Sequence, residues 1–293
     1  MGLLQKKEKG SKKEKAPKEP QYYMSSTNIR TLNYKVYYMR NWEKLLYFLL
    51  AFAVGAFVGY LFYGGIGKDE FGEPTLLTRI LDISIAAVTG LAAGKVYLPV
   101  RTEQIIQKRR SQLNSQFRDM LEALNTSLGA GKNVMDSFSS VNADMKVQYE
   151  EDAFIINELA VIISGMANNI PIETLLEDFG IRSGIDDIVS FANVFKICYE
   201  KGGNIKETIR STHEILSDKM EIRDDIETVI TANKSEQNMM LVMPVLLIGM
   251  IKLTSEDMAA NFVSPAGIAA STIAIVLFVI SYVVGKKVLD IKV

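Results

Sequence analysis

The 293-residue chain is poor in the residues that metal and redox chemistry use: it holds one cysteine, Cys198, and one histidine, His213. A zinc site needs three or four nitrogen, sulfur or carboxylate ligands converging on one point, and a lone cysteine has no partner for an internal disulfide. No Walker A loop, dinucleotide glycine motif, zinc-ligand spacing or nucleophile elbow occurs. No catalytic residue and no cofactor is therefore expected, and energy for any work has to come from another subunit. The 33 basic and 34 acidic residues nearly cancel, so the whole chain carries no electrostatic footprint of nucleic-acid binding. The basic N-terminus lacks an apolar core followed by a small-residue cleavage site in its first thirty residues, so a cleaved secretory signal is not expected.

What the chain does have is apolar residues, 48% of the total, gathered into long runs. Residues 45–63 are nineteen in a row without a charge, close to the roughly 20 that a helix needs to cross a hydrocarbon core. Trp42, Tyr47, Tyr60 and Tyr63 lie near the ends of this run, where amphipathic rings favour the headgroup level. Gly55 and Gly59 form a GxxxG spacing suited to close helix packing. Residues 80–100 form a second span that contains Asp82 and Lys95 near opposite ends, each within reach of an interface. Residues 239–253 form a shorter third span with Pro244 inside it, which removes one backbone hydrogen bond and kinks the helix. Residues 266–284 form the fourth.

Eleven Lys and Arg precede the first span, two lie between the first and second, none lie in 254–265, and three follow the fourth. The positive-inside rule then puts both termini and residues 101–238 in the cytoplasm. The fold expected is an all-α membrane protein with four transmembrane helices and a cytoplasmic antiparallel helical bundle between the second and third. Residues 1–44 read as a basic cytoplasmic tail, disordered at least to residue 20, because residues 1–20 are rich in Lys, Glu and Pro with no apolar period.

Within 101–238 the apolar residues recur at spacings of three, four and seven. One stripe holds Leu113, Phe117, Met120, Leu121 and Leu124; a second holds Ile155, Leu159, Ile162 and Met166; a third holds Ile188, Phe191, Phe195 and Tyr199. Ile205, Ile209, Leu216, Met220, Ile226 and Ile230 continue the pattern toward the third span. Three connections resemble one another: Gly131-Lys132-Asn133-Val134, Asn169-Ile170-Pro171-Ile172 and Gly203-Asn204-Ile205. Each joins a left-handed or turn-forming residue to a helix start, then to an apolar residue matched four positions later by Phe138, Leu176 or Ile209.

This arrangement, over roughly residues 101–285, resembles the F-type inner-membrane platform proteins of type II secretion and type IV pilus systems, especially the TadB/TadC branch of the Tad (Flp) pilus. The resemblance is carried by residues 117–124 (FRDMLEAL) running into 128–133 (LGAGKN), by 170–176 (IPIETLL), 179–182 (FGIR) and 201–205 (KGGNI), and by Pro244. Its marked positions are Gly129, Gly131, Pro171, Gly202, Gly203, Asn204 and Pro244. The resemblance implies a scaffold in the bacterial inner membrane. Its implied partners are a secretion ATPase, a second F-type membrane protein, a pilin or pseudopilin and the lipid bilayer, in a homo- or hetero-oligomer.

Other residues have plainer readings. His213 stands in a Ser-Thr-His-Glu segment that resembles a kinase phosphoacceptor, but its spacing from Ile209 and Leu216 makes it a core or interfacial histidine. Cys198 reads as a small core residue. The adjacent pairs Asp186/Asp187 and Asp224/Asp225 point about 100° apart on a helix and do not converge. Residues 101–238 hold 23 acidic against 15 basic residues, which suits a basic partner surface and argues against nucleic acid. The alternative function is a small transporter or channel subunit that uses Asp82 and Lys95 as intramembrane polar groups.

Overall fold

The computed structural model describes residues 19–25, 28–67 and 74–289. The expected disorder of the N-terminal tail falls, for residues 1–18, outside the described residues. The described residues are predominantly helical, and the strands among them are a two-stranded antiparallel ribbon, β1 (Tyr22–Met24) and β2 (Arg30–Leu32).

Four helices are long and apolar enough to cross a membrane, which makes this a multi-pass membrane protein. The first, α1 (Asn41–Tyr63), lies against the N-terminal part of α2 (Leu76–Gly129). Glycine lets the two backbones approach. A Cβ on Gly55 would stand 2.6 Å from the Ala93 Cβ, and one on Gly59 would stand 2.2 Å from the Thr89 hydroxyl. The contact is mutual, because Gly90 and Gly94 of α2 receive the rings of Phe52 and Phe48. Asp82 accepts a hydrogen bond from the Gly65 backbone N–H at 2.9 Å, so its carboxylate serves the loop that follows α1.

Both chain segments that join the apolar helices to the domain are unbroken helix. α2 starts at the Thr75 cap, whose hydroxyl accepts from the Thr78 N–H, and continues for 54 residues, about 80 Å at 1.5 Å per residue. α7 (Ile205–Thr254) is 50 residues long and contains Pro244 without interruption. Hydropathy marks where a helix becomes apolar, and the backbone hydrogen bonds run on past that point. Spans expected at 80–100 and 239–253 are thus the apolar parts of longer rods. The connector after α7 forms a short helix, α8 (Glu256–Val263), before α9 (Pro265–Leu289).

Between these rods lie α3 (Val134–Gln148), α4 (Phe154–Ala167), α5 (Ile172–Ser183) and α6 (Asp186–Glu200). Each packs on the next, and α7 closes back on α2. Helices of this similar length, joined by short connections and packed in succession, make up one helical domain. Phe117 of α2 sits at its centre, edge-on to Phe179 of α5 and Phe191 of α6 at centroid distances of 6.1 and 5.4 Å. Leu113, Phe117, Met120, Leu121 and Leu124 are fully buried, as are Phe138, Leu159, Leu176, Phe195 and Ile209. Tyr199, expected on the buried stripe of α6, is instead 45% exposed at the helix end.

Candidate functional site

Because the helices alternate in direction, the connections 130–133, 168–171 and 201–204 share the end of the bundle farthest from the apolar helices. Gly129 and Lys206 lie beside each other there, the lysine Nζ standing 3.8 Å from where a Gly129 Cβ would be. The three connections are built alike. Each helix ends on a residue with positive φ: Gly131 at 87°, Asn169 at 58° and Gly202 at 71°. The next backbone N–H then bonds back to the carbonyl five residues earlier: Lys132 to Ser127, Ile170 to Gly165 and Gly203 to Cys198. This is the closing bond of a Schellman turn, which satisfies carbonyls that the helix end leaves orphaned. The fit at Gly203 is close, since a Cβ there would stand 3.3 Å from the Cys198 backbone, nearer than most Cβ contacts.

The helices that follow are capped where the chain offers a cap. Asn133 accepts from the Asp136 N–H at 2.8 Å and Asn204 from the Glu207 N–H at 3.2 Å. Pro171 occupies the corresponding position before α5 and makes no side-chain cap. Its backbone carbonyl takes the N–H groups of Thr174 and Leu175. The marked positions Gly129, Gly131, Pro171, Gly202, Gly203 and Asn204 thus fall at one end of the domain. Pro244 lies far from them, in the apolar part of α7.

At the opposite end, next to the apolar helices, the structure assembles a buried charged cluster. Glu158 of α4 and Arg182 of α5 are nearly inaccessible and pair through two bonds, Nη1 to Oε1 at 2.8 Å and Nη2 to Oε2 at 2.7 Å. Arg182 Nε donates to Asp178 at 2.7 Å, and Nη1 also reaches the Leu32 carbonyl at 3.3 Å. The Tyr34 hydroxyl donates to Glu158 Oε1 at 3.0 Å, and the Tyr34 N–H donates to the Arg182 carbonyl. Burial and the Glu158 carboxylate push the Tyr34 hydroxyl well above its ordinary pKa. Burial works against the Arg182 charge, but Glu158 and Asp178 outweigh it and raise its pKa further.

Tyr34 belongs to the segment read as part of a basic tail. From Glu19 onward that segment is placed by contacts: Asn33 donates to Glu19 and to the Pro20 carbonyl, and Tyr38 donates to the Glu19 carbonyl. It lies as a strap across α4 and α5, held further by Arg109 over the Tyr37 ring at 4.2 Å. Sequence reading missed the cluster, though a signal existed. Glu158 falls on the apolar face of α4 between Ile155 and Ile162, and Arg182 follows Phe179 on that of α5. Opposite charges at core positions of neighbouring helices mark a buried pair.

His213 is half-buried, and its Nδ1 has no hydrogen-bond partner among the described residues. Cys198 is half-buried, with its Sγ 3.1 Å from the Thr208 hydroxyl. Lys95 is exposed on α2, thirteen residues from Asp82. Among the described residues no three His, Cys, Asp or Glu side chains are arranged to hold a metal ion. A groove of about 490 Å³ runs between α2 and α3, lined by Asp119, Glu122, Asp144, Lys132 and Ser127. Comparison with family models, curated proteins and solved structures gives no match for this chain.

Proposed function

We propose that this protein is a non-catalytic platform of the F-domain type in the inner membrane of a bacterium, with both termini and the helical domain in the cytoplasm. In this reading the domain receives a secretion ATPase of a Tad/Flp-type pilus or a type II secretion-like machine. It passes the movement to the spans, where a pilin or pseudopilin leaves the bilayer beside a second F-type protein. The observation that carries the reading is the unbroken course of α2 and α7 from the bundle into the apolar region. A force applied at the far turns reaches the spans through two continuous helices rather than through loops. Rigid rods between a receiving surface and a membrane segment suit the transmission of movement.

The three like turns at the far end, with an excess of acid in 101–238, offer a surface for a basic partner. The test is co-purification of the full chain with a secretion ATPase from the same organism. Wild-type protein retains the ATPase, and Asn204→Leu, which changes an exposed cap, loses it. No retention by the wild-type chain with any such ATPase overturns the proposal.

A further inference from the structure

Outside its apolar part, α7 carries a second apolar stripe that its own bundle does not cover. Ile209, Leu216 and Ile230 are buried against the domain, whereas Ile215, Ile222 and Val229 are 65%, 56% and 68% exposed. The two stripes lie about 100° apart at 100° per residue. The exposed one repeats every seven residues, and Ile226, half-exposed, falls between two of its members. Three large aliphatic side chains at heptad spacing on a surface helix form the seam of a helix pair.

We infer that this seam packs against the same segment of a second copy of the chain, as a parallel coiled coil beneath the spans. Membrane anchoring supplies the geometry. Two copies inserted the same way hold their α7 helices parallel and at equal height, so Ile215, Ile222 and Val229 meet their own counterparts without adjustment. The charges flanking the seam are self-complementary. With the exposed stripe at the d positions and Ile226 at a, Asp218 takes a g position and Arg223 the e position five residues later. That is the spacing at which helices of a parallel pair exchange salt bridges. Symmetry then forms each Asp218–Arg223 pair twice. Both residues are exposed, and neither has an ion-pair partner in its own chain among the described residues. Lys219, at the a position between Ile215 and Ile222, is held by Asp187 of its own chain at 2.7 Å and is thereby kept from opposing its counterpart. A different basic protein would meet Asp218 but would be repelled by Arg223, whereas a second copy satisfies both.

Single cysteines placed in a Cys198→Ser chain test the seam in native membranes. Ile215→Cys, Ile222→Cys and Val229→Cys are expected to form disulfide-linked dimers of this chain severalfold more than Glu221→Cys, which faces away. Asp218→Arg in the Ile222→Cys chain is expected to lower the linked fraction, and adding Arg223→Asp to restore it. Equal linking at 221 and 222, linking of Ile222→Cys only to another protein, or no rescue by the charge swap overturns the inference. The seam requires no ATPase, so loss of ATPase retention with intact linking would sink the platform reading and leave this one standing.

Discussion

The sharpest quantitative consequence concerns Glu158. Its carboxylate takes three donors, from Tyr34 and from both terminal nitrogens of Arg182. In Glu158→Gln the charge is lost and an amide N–H₂ is turned toward donors, which leaves Asp178, 53% exposed, as the one carboxylate bonded to Arg182. Stranding one member of a buried pair costs about 3–5 kcal/mol. For a domain of this size that lowers the melting temperature by roughly 6–20 °C, taking about 2–4 °C per kcal/mol. The assay is thermal unfolding of the full chain in nanodiscs followed by circular dichroism, with hydrogen exchange assigning the loss to α4, α5 and the strap. Replacing both partners by apolar residues of similar volume, Glu158→Leu with Arg182→Met, is expected to return stability to within about 1–2 kcal/mol of wild type. Tyr34→Phe alone costs about 1.5–3 kcal/mol, the worth of a hydrogen bond to a charged group, and costs nothing in the Leu/Met background. A loss under about 1 kcal/mol for Glu158→Gln, or a double variant as unstable as the two single losses combined, would refute the reasoning.

Three further outcomes follow from the turns, the α2–α3 contact and the apolar hairpin. Gly202→Ala, at φ 71°, is expected to cost about 1–2 kcal/mol in urea unfolding, whereas Asn169→Gly, at φ 58°, changes stability little because asparagine already tolerates this conformation. Burial and its bond to Asp119 raise the Tyr149 hydroxyl pKa to about 12. The stability this bond contributes is complete below the ordinary tyrosine value of about 10 and is lost as the pH climbs toward the raised one. The urea midpoint should fall over that window more in wild type than in Tyr149→Phe. Gly90→Leu drives a side chain into the Phe52 ring and should abolish disulfide cross-linking between cysteines placed on α1 and α2 while the helical domain keeps its exchange protection.

The helices of the domain were legible because amphipathic spacing is local: Leu113, Phe117, Met120, Leu121 and Leu124 announce one face, and all five are buried. The far turns were legible for the same reason, since Gly131, Asn169 and Gly202 each punctuate a short stretch. Asn169, though a non-glycine residue, adopts the same left-handed conformation because its short polar side chain tolerates it. The strap was not legible. Its composition is polar, and Tyr34 meets Glu158 across 124 residues of sequence, a separation at which no periodicity speaks. The exposed stripe of α7 was hidden differently: Ile215 and Leu216 look equally apolar, and only the packing of α7 on α2 decides which face the bundle leaves open.

The placement of Tyr34 also bears on how the chain enters its bilayer. The tyrosine precedes α1, while Glu158 and Arg182 follow α2, so they can meet only if the polypeptide has crossed twice in between and returned to the compartment where it began. A hairpin that threads once, or stalls in one leaflet, leaves the carboxylate and guanidinium without their third partner and the α4–α5 surface uncovered. Correct insertion is thereby written into the stability of a site that lies outside the lipid.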